Sequence, residues 1–199
     1  MSEPAAAVMT EERRATDSRT VFGFWVYLMT DCVLFASLFA VFAVLRNNTF
    51  GGPGGKELFD LPYVLIETLI LLTSSFTCGL AMLAAHRRRK AVVITLFTLT
   101  FLLGAAFLGL ELSEFRHLAI EGNSWHRSGF LSAYFTLVGT HGLHITVGLL
   151  WLIVLMVQLA KKGFDTNGLR RLTLFSLFWH FLDVIWIFIF TIVYLLGVA

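Results

Sequence analysis

Five carboxylates and three histidines stand inside, or at the edges of, stretches that otherwise carry almost no charge: Asp31, Glu67, Glu111, Glu114 and Asp183, with His141, His144 and His180. An ionised carboxylate at mid-bilayer costs on the order of 3 kcal/mol even on a lenient insertion scale, so such groups must be protonated, paired, turned toward protein or near water. Three chemistries are open to them. Two histidines at i, i+3 present their nitrogens on one helix face and could ligate a metal or haem. Buried acids suit a proton or ion path. Both residue types also suit mutual hydrogen bonds that fix helix packing or hold a partner subunit, because buried polar groups are normally hydrogen-bonded. Haem is the poorest fit of the three: an adjacent pair such as His141 and His144 cannot take opposite axial positions easily, and no Cys-x-x-Cys-His occurs.

The elements that must carry these residues are five apolar runs, Phe22–Leu45, Leu61–Ala85, Ala91–Leu110, Gly129–Ala160 and Leu172–Ala199. About 20 helical residues cross the hydrocarbon core, and every run reaches that length. The expected fold is therefore all-α, a polytopic membrane protein with five transmembrane helices at about 22–45, 61–85, 91–115, 129–160 and 172–197, preceded by a disordered polar tail over 1–20. Helical spacing puts Glu67, Leu71, Ser74 and Cys78 in one stripe on the second helix. Gly104, Leu108, Glu111 and Glu114 share a side of the third, and His141, His144 and Gly148 line up on the fourth beside Thr140. On the fifth, Ser176, His180, Asp183, Ile187 and Tyr194 form a stripe, with Trp179 and Trp186 off it and packed against helices or lipid. The expected outcome is carboxylates of helices 3 and 5 meeting histidines of helices 4 and 5.

Charge sets the orientation. Five spans put the tail, the second loop and the fourth loop on one side, and there lie Arg13, Arg14, Arg19, Arg87, Arg88, Arg89, Lys90, Lys161, Lys162, Arg170 and Arg171. The other side has only Arg46, Lys56, Arg116 and Arg127. Eleven of fifteen basic residues on one side place the N-terminus in the cytoplasm and the C-terminus outside. The net charge of +2 reflects this loop anchoring, and no basic stripe interleaved with aromatics argues for nucleic acid. Residues 1–20 have no short apolar core of the kind a cleaved signal needs. Cys32 and Cys78 both fall within spans and read as buried free thiols. The first loop, Gly51-Gly52-Pro53-Gly54-Gly55-Lys56, lacks the Ser or Thr after Lys that a phosphate-binding loop requires.

From helix 3 onward the motifs become specific. Phe107-Leu108-Gly109-Leu110-Glu111-Leu112-Ser113-Glu114-Phe115 is followed by Ser128-Gly129-Phe130, then Gly139-Thr140-His141-Gly142-Leu143-His144-Ile145, then Trp179-His180-Phe181-Leu182-Asp183-Val184-Ile185-Trp186. These three ordered motifs resemble subunit III of the haem–copper terminal oxidases, and the resemblance extends through Gly23–Phe42 to nearly the whole chain beyond the tail. Members from cytochrome c oxidases usually have seven helices, and this chain starts where their third would lie. Met29-Thr30-Asp31-Cys32-Val33-Leu34-Phe35 carries Asp31 where the family has an intramembrane Glu, so no proton-related role is transferred to it. Together with Leu65-Ile66-Glu67-Thr68, this looks like the five-helix subunit III of bacterial cytochrome o (bo-type) ubiquinol oxidases.

The resemblance implies a non-catalytic accessory subunit in the bacterial cytoplasmic (inner) membrane. It implies no haem, copper or quinol site in this chain; haem and copper belong to a partner subunit. Implied partners are oxidase subunits I, II and a small subunit IV, with bound phospholipid in a cleft. Implied roles are stabilising the complex and supporting proton supply to subunit I. On that basis Glu111, Glu114, His141, His144, His180 and Asp183 are expected to form the polar interior of helices 3–5, and Asp31 and Glu67 to face subunit I or the lipid cleft. The alternatives are a self-contained proton or solute carrier, a subunit III of a cytochrome c oxidase, and a haem- or quinol-binding protein in its own right. The carrier expects helices broken in mid-span, yet Pro4, Pro53 and Pro62 are the only prolines and none lies deep in a span.

Overall fold

Long apolar runs with few helix breakers leave the backbone one way to satisfy its hydrogen bonds in lipid, and that is the helix. The computed structural model describes residues 3–164 and 166–198, with side chains at 19–161, 163–164 and 168–198. It is all-helical, with five helices long and apolar enough to cross a membrane. They are α1 (Glu3–Leu45), α2 (Leu61–His86), α3 (Lys90–Ile120), α4 (Gly129–Lys162) and α5 (Thr166–Ile189). Beyond Ile189 the helix continues through a π-helical segment, Phe190–Leu195, and a last α turn, Leu196–Val198. One short helical turn, Gly55–Leu58, precedes α2. Helix α1 begins well before its apolar run, so residues 3–20, for which composition suggests a disordered tail, are helical; Ala, Glu and Arg, which dominate there, are strong helix formers. Met1 and Ser2 of that expected tail lie outside the described residues.

The helix ends follow local chemistry. Pro62 sits in the first turn of α2, where its missing N–H costs nothing. Ser128 caps α4 by accepting a hydrogen bond from the Leu131 N–H at 3.1 Å. Gly163 ends the same helix at φ +71°, a left-handed conformation that glycine adopts freely, and its N–H reaches Leu159 O at 3.0 Å. Only Arg87, Arg88 and Arg89 separate α2 from α3, which makes these two helices antiparallel neighbours and the most extensively packed pair.

Two compact units are distinguished, Met1–Leu34 and Phe35–Ala199. The first is a single stretch of α1, in which the Thr30 hydroxyl donates back to Tyr27 O at 2.6 Å. The second contains the rest of α1 and all of α2–α5. Within it α3 packs on α2 and α4, and α5 packs on α4 and α2. Trp179 of α5 makes that assembly tight: a Cβ added to Gly104 on α3 would stand 2.9 Å from its ring, and one added to Gly148 on α4 would stand 3.0 Å away. Small residues at these two positions let the helices close around one indole.

Candidate functional site

The polar side chains of the larger unit fall into two groups. The first lies toward the end of the bundle that carries the 46–60 and 121–128 segments. Glu114 on α3 accepts a hydrogen bond from the Tyr194 hydroxyl at 3.2 Å. Tyr194 and Tyr134 are both fully buried, their oxygens 3.0 Å apart. Either hydroxyl can donate in this tyrosine pair. Phe59 packs at a tilt against this pair, 5.0 Å from the Tyr134 ring and 4.7 Å from that of Tyr194. On its other side Glu114 borders a pocket of about 420 Å3 lined also by Asp60, Tyr63 and His117.

Deeper in, Glu111 is buried against Gly142, whose added Cβ would stand only 2.7 Å from Glu111 Oε1. His141, next to that glycine, stacks on Trp186 at 5.3 Å and meets Phe107 edge-on at 6.0 Å. Both its ring nitrogens, one oxygen of Glu111 and both oxygens of Glu67 are buried without a hydrogen-bond partner. His144 turns back on its own helix, with Nδ1 2.7 Å from Thr140 O, and its ring lies 5.3 Å from that of Phe35. Glu114 thus meets tyrosines, and His144 meets a backbone carbonyl among its contacts.

Glu67 is 0 % exposed and turned into the bundle. Its helix has two faces of different make. Leu71, Ser74 and Cys78 are buried with it, while Leu65, Ile66, Leu69 and Leu72 are exposed, as suits lipid. Asp31 on α1 is 7 % exposed.

The second group sits at mid-span. Ser75 Oγ of α2 and His180 Nδ1 of α5 are 2.6 Å apart. Asp183, one turn on from His180, lines the same open groove, about 390 Å3, together with Gly79. The two tryptophans of α5 point elsewhere, into the bundle, where the Trp179 indole N–H donates to Ser74 Oγ at 3.2 Å and that of Trp186 to Thr68 Oγ1 at 3.0 Å. Both are buried, so they pack on helices.

The stripe read along α5 breaks within it. Ile187 is exposed and Tyr194 is fully buried, although seven residues of regular α-helix would put them on one face. The π-helical segment between them explains the difference: each i→i+5 turn takes in one extra residue, and one residue is a rotation of about 100°. Of the residues that complete both groups, Ser75 and Tyr134 carry no motif, and Thr68 and Gly142 stand in motifs without a role read for them. The only signal for them is a hydroxyl or a glycine on a buried helix face, and such residues are common on every helix.

Among the described residues no cluster of three or more His, Cys, Asp and Glu could hold a metal ion. Cys78 is buried and Cys32 half-exposed, and both thiols are free. The pattern of the family described as Cytochrome c oxidase subunit III matches residues 6–198. The chain is 60% identical over 178 residues to Cytochrome bo(3) ubiquinol oxidase subunit 3 of Pseudomonas aeruginosa, covering 89% of this chain and 85% of that one. It is 45% identical to Quinol oxidase subunit 3 of Bacillus subtilis, covering 95% and 93% of the two. It is 46% identical to Cytochrome c oxidase subunit 3 of Bacillus sp. (strain PS3), covering 94% and 92%.

Proposed function

The chain belongs to the cytochrome c oxidase subunit III family, and from that premise we propose that it serves a bacterial ubiquinol oxidase as its five-helix accessory subunit. The single observation that carries this reading is the 60% identity to a ubiquinol oxidase subunit 3 across most of both chains, against 46% for a relative named for cytochrome c. The complex would oxidise quinol, reduce oxygen to water and move protons outward, with haem and copper held by a larger subunit. The accessory subunit's own work would be mechanical and electrostatic. Its polar groups join helices α2–α5 to one another and leave an oxidase partner a shaped surface to dock on.

In this reading the protein lies in the bacterial inner membrane, N-terminus in the cytoplasm, as the eleven basic residues on one side and four on the other support. Its partners are subunits I, II and a small subunit IV, with phospholipid filling what the helices leave uncovered. The Arg87–Lys90 cluster suits anionic headgroups, each charge near the surface contributing about 1 kcal/mol. Glu114 lies beside a pocket at the outer end and is joined to Tyr194 and Tyr134, an arrangement that suits holding a proton near that surface.

The test is a mild-detergent purification through a tag on this chain, with reduced-minus-oxidised spectra before and after the subunits are separated. Haem and quinol oxidase activity should come down with the chain, and the haem should stay with a larger polypeptide. Haem retained by the isolated chain would refute the accessory reading. A chain that comes down alone and without pigment would move the self-contained carrier to the front.

A further inference from the structure

Helices α2 and α3 carry their acids toward each other in steps. Asp60, just ahead of α2, is followed at helical spacing by Tyr63 and Glu67, while Glu111, Glu114 and His117 follow one another along α3 in the opposite direction. The outer steps, Asp60, Tyr63, Glu114 and His117, line the pocket at the loop end. The inner steps, Glu67 and Glu111, are 0 % and 1 % exposed. All three glutamates lie within electrostatic reach of one another.

The inner pair is left unanswered by the bundle. Both Glu67 oxygens and Glu111 Oε2 are buried without a hydrogen-bond partner, and among the described residues no salt bridge reaches them. A carboxylate so placed would be a buried charge without a counter-ion, which neutralises by holding its proton. His141 of α4 adds a second unpartnered group, buried with both ring nitrogens unbonded. Its ring lies against Phe107, one turn before Glu111, and stacks on Trp186, whose indole bonds to Thr68, the neighbour of Glu67. Further inward the ladder stops: Ser74, Thr77 and Thr100 bond to one another and to backbone, and bring no acid. Glu114 differs from the inner pair, because Tyr194 donates to it and the pocket borders it, so a charge there is answered.

We propose that Glu67, Glu111 and Glu114 form a proton store for the outer surface, filled and emptied through the pocket between Asp60 and His117 and closed toward the cytoplasm by His141 and the hydroxyls beyond it. Exchange runs through Glu114. Its O–H bond breaks as the proton leaves to water in the pocket, and the carboxylate takes a proton from Glu111 or Glu67. The negative charge passes to that donor until the pocket returns a proton by the same route. Such a store buffers protons and is no step of turnover. The inference deepens the reading of Glu114 and rests on the accessory-subunit reading for which side is outer.

Infrared spectroscopy of the complete oxidase tests it, because a protonated carboxyl has a carbonyl stretch separate from that of the amides. The difference between unaltered protein and Glu111→Gln, and likewise Glu67→Gln, should contain such a band, and the band should shift when heavy water replaces water. Ser113→Trp, at the exposed rim of the pocket, should slow that shift by about tenfold, a barrier raised by about 1.4 kcal/mol. Difference spectra without the band overturn the store. A band that never shifts, or that shifts equally fast in Ser113→Trp, overturns exchange through the pocket. Should a Gln variant fail to assemble, heavy-carbon labelling of glutamate marks the band in the unaltered protein, and its slowing in Ser113→Trp still decides. These outcomes leave the accessory reading standing; that reading falls instead if the purified chain brings no haem-bearing polypeptide with it.

Discussion

The Glu114 end of the bundle and the middle of its α2–α5 face both contain carboxyl groups within the span, but they meet opposite surroundings. At the first, Glu114, Tyr194 and Tyr134 bond to one another across three helices beside the Phe59 ring, and Glu114 borders a pocket at the loop end. At the second, Ser75 and His180 pair with each other and Asp183 lines an open groove beside them. The same residue type therefore serves two ends. Where acids are enclosed by their own chain they fix how the helices pack. Where one stands at the rim of a groove, it borders side chains that are exposed to lipid. Sequence alone ranks all eight groups together, and only the packing divides them.

Substitutions can break this division in order of severity. Gly142→Leu attacks the enclosed group: its first side-chain carbon alone collides with Glu111. We expect destabilisation of about 3 kcal/mol, the top of the overpacking range, read as early exposure of the buried Cys78 thiol to a fluorescent maleimide on heating. Gly79→Leu, a like change in the open groove where an added Cβ meets nothing nearer than 3.9 Å, should leave that melting curve in place. If both substitutions melt the chain alike, the two regions do not differ in kind.

Glu114→Gln and Asp183→Asn sharpen the contrast with smaller steps of about 1 kcal/mol each, typical of one hydrogen bond. Both should lower the yield of assembled oxidase more than turnover per assembled complex. Assembly at full yield with collapsing turnover would instead assign the acids to proton movement. The smallest effect is expected at His117 and Glu121, 3.2 Å apart but 72% and 47% exposed. His117→Ala should change yield by no more than an exposed ion pair is worth, about 0–1 kcal/mol.

Much of this architecture is written in the sequence, because crossing a bilayer demands a length of uncharged helix that nothing else in a chain resembles. The spans differ from their apolar runs only at the ends: α3 continues to Ile120, past Glu111 and Glu114, since a helix need not stop where lipid does. The direction of each face is harder. Lipid tails are as apolar as leucine, so hydropathy does not tell the lipid side of α2 from its inner side. That is why Glu67 is easy to place in a span and hard to aim. Phase along α5 is lost for another reason: Phe190–Leu195 contains no Pro or Gly to announce its π turns.

The three-arginine connection between α2 and α3 has a consequence for how the chain is made. These neighbours can pair as soon as they leave the ribosome, and they do so with hydroxyls already answered: Thr68 donates to Val64 O at 2.9 Å and Ser74 to Thr100 O at 3.1 Å. The oxygens that later receive the two indoles are then waiting in place. Trp179 lies 105 residues beyond Ser74, about 5–20 s of synthesis. Assembly thus has a built-in order, an early hairpin that is chemically complete and a late helix that locks onto it. A nascent chain arrested before Leu172 should already protect α2 and α3 from proteolysis, whereas one arrested before Thr100 should not.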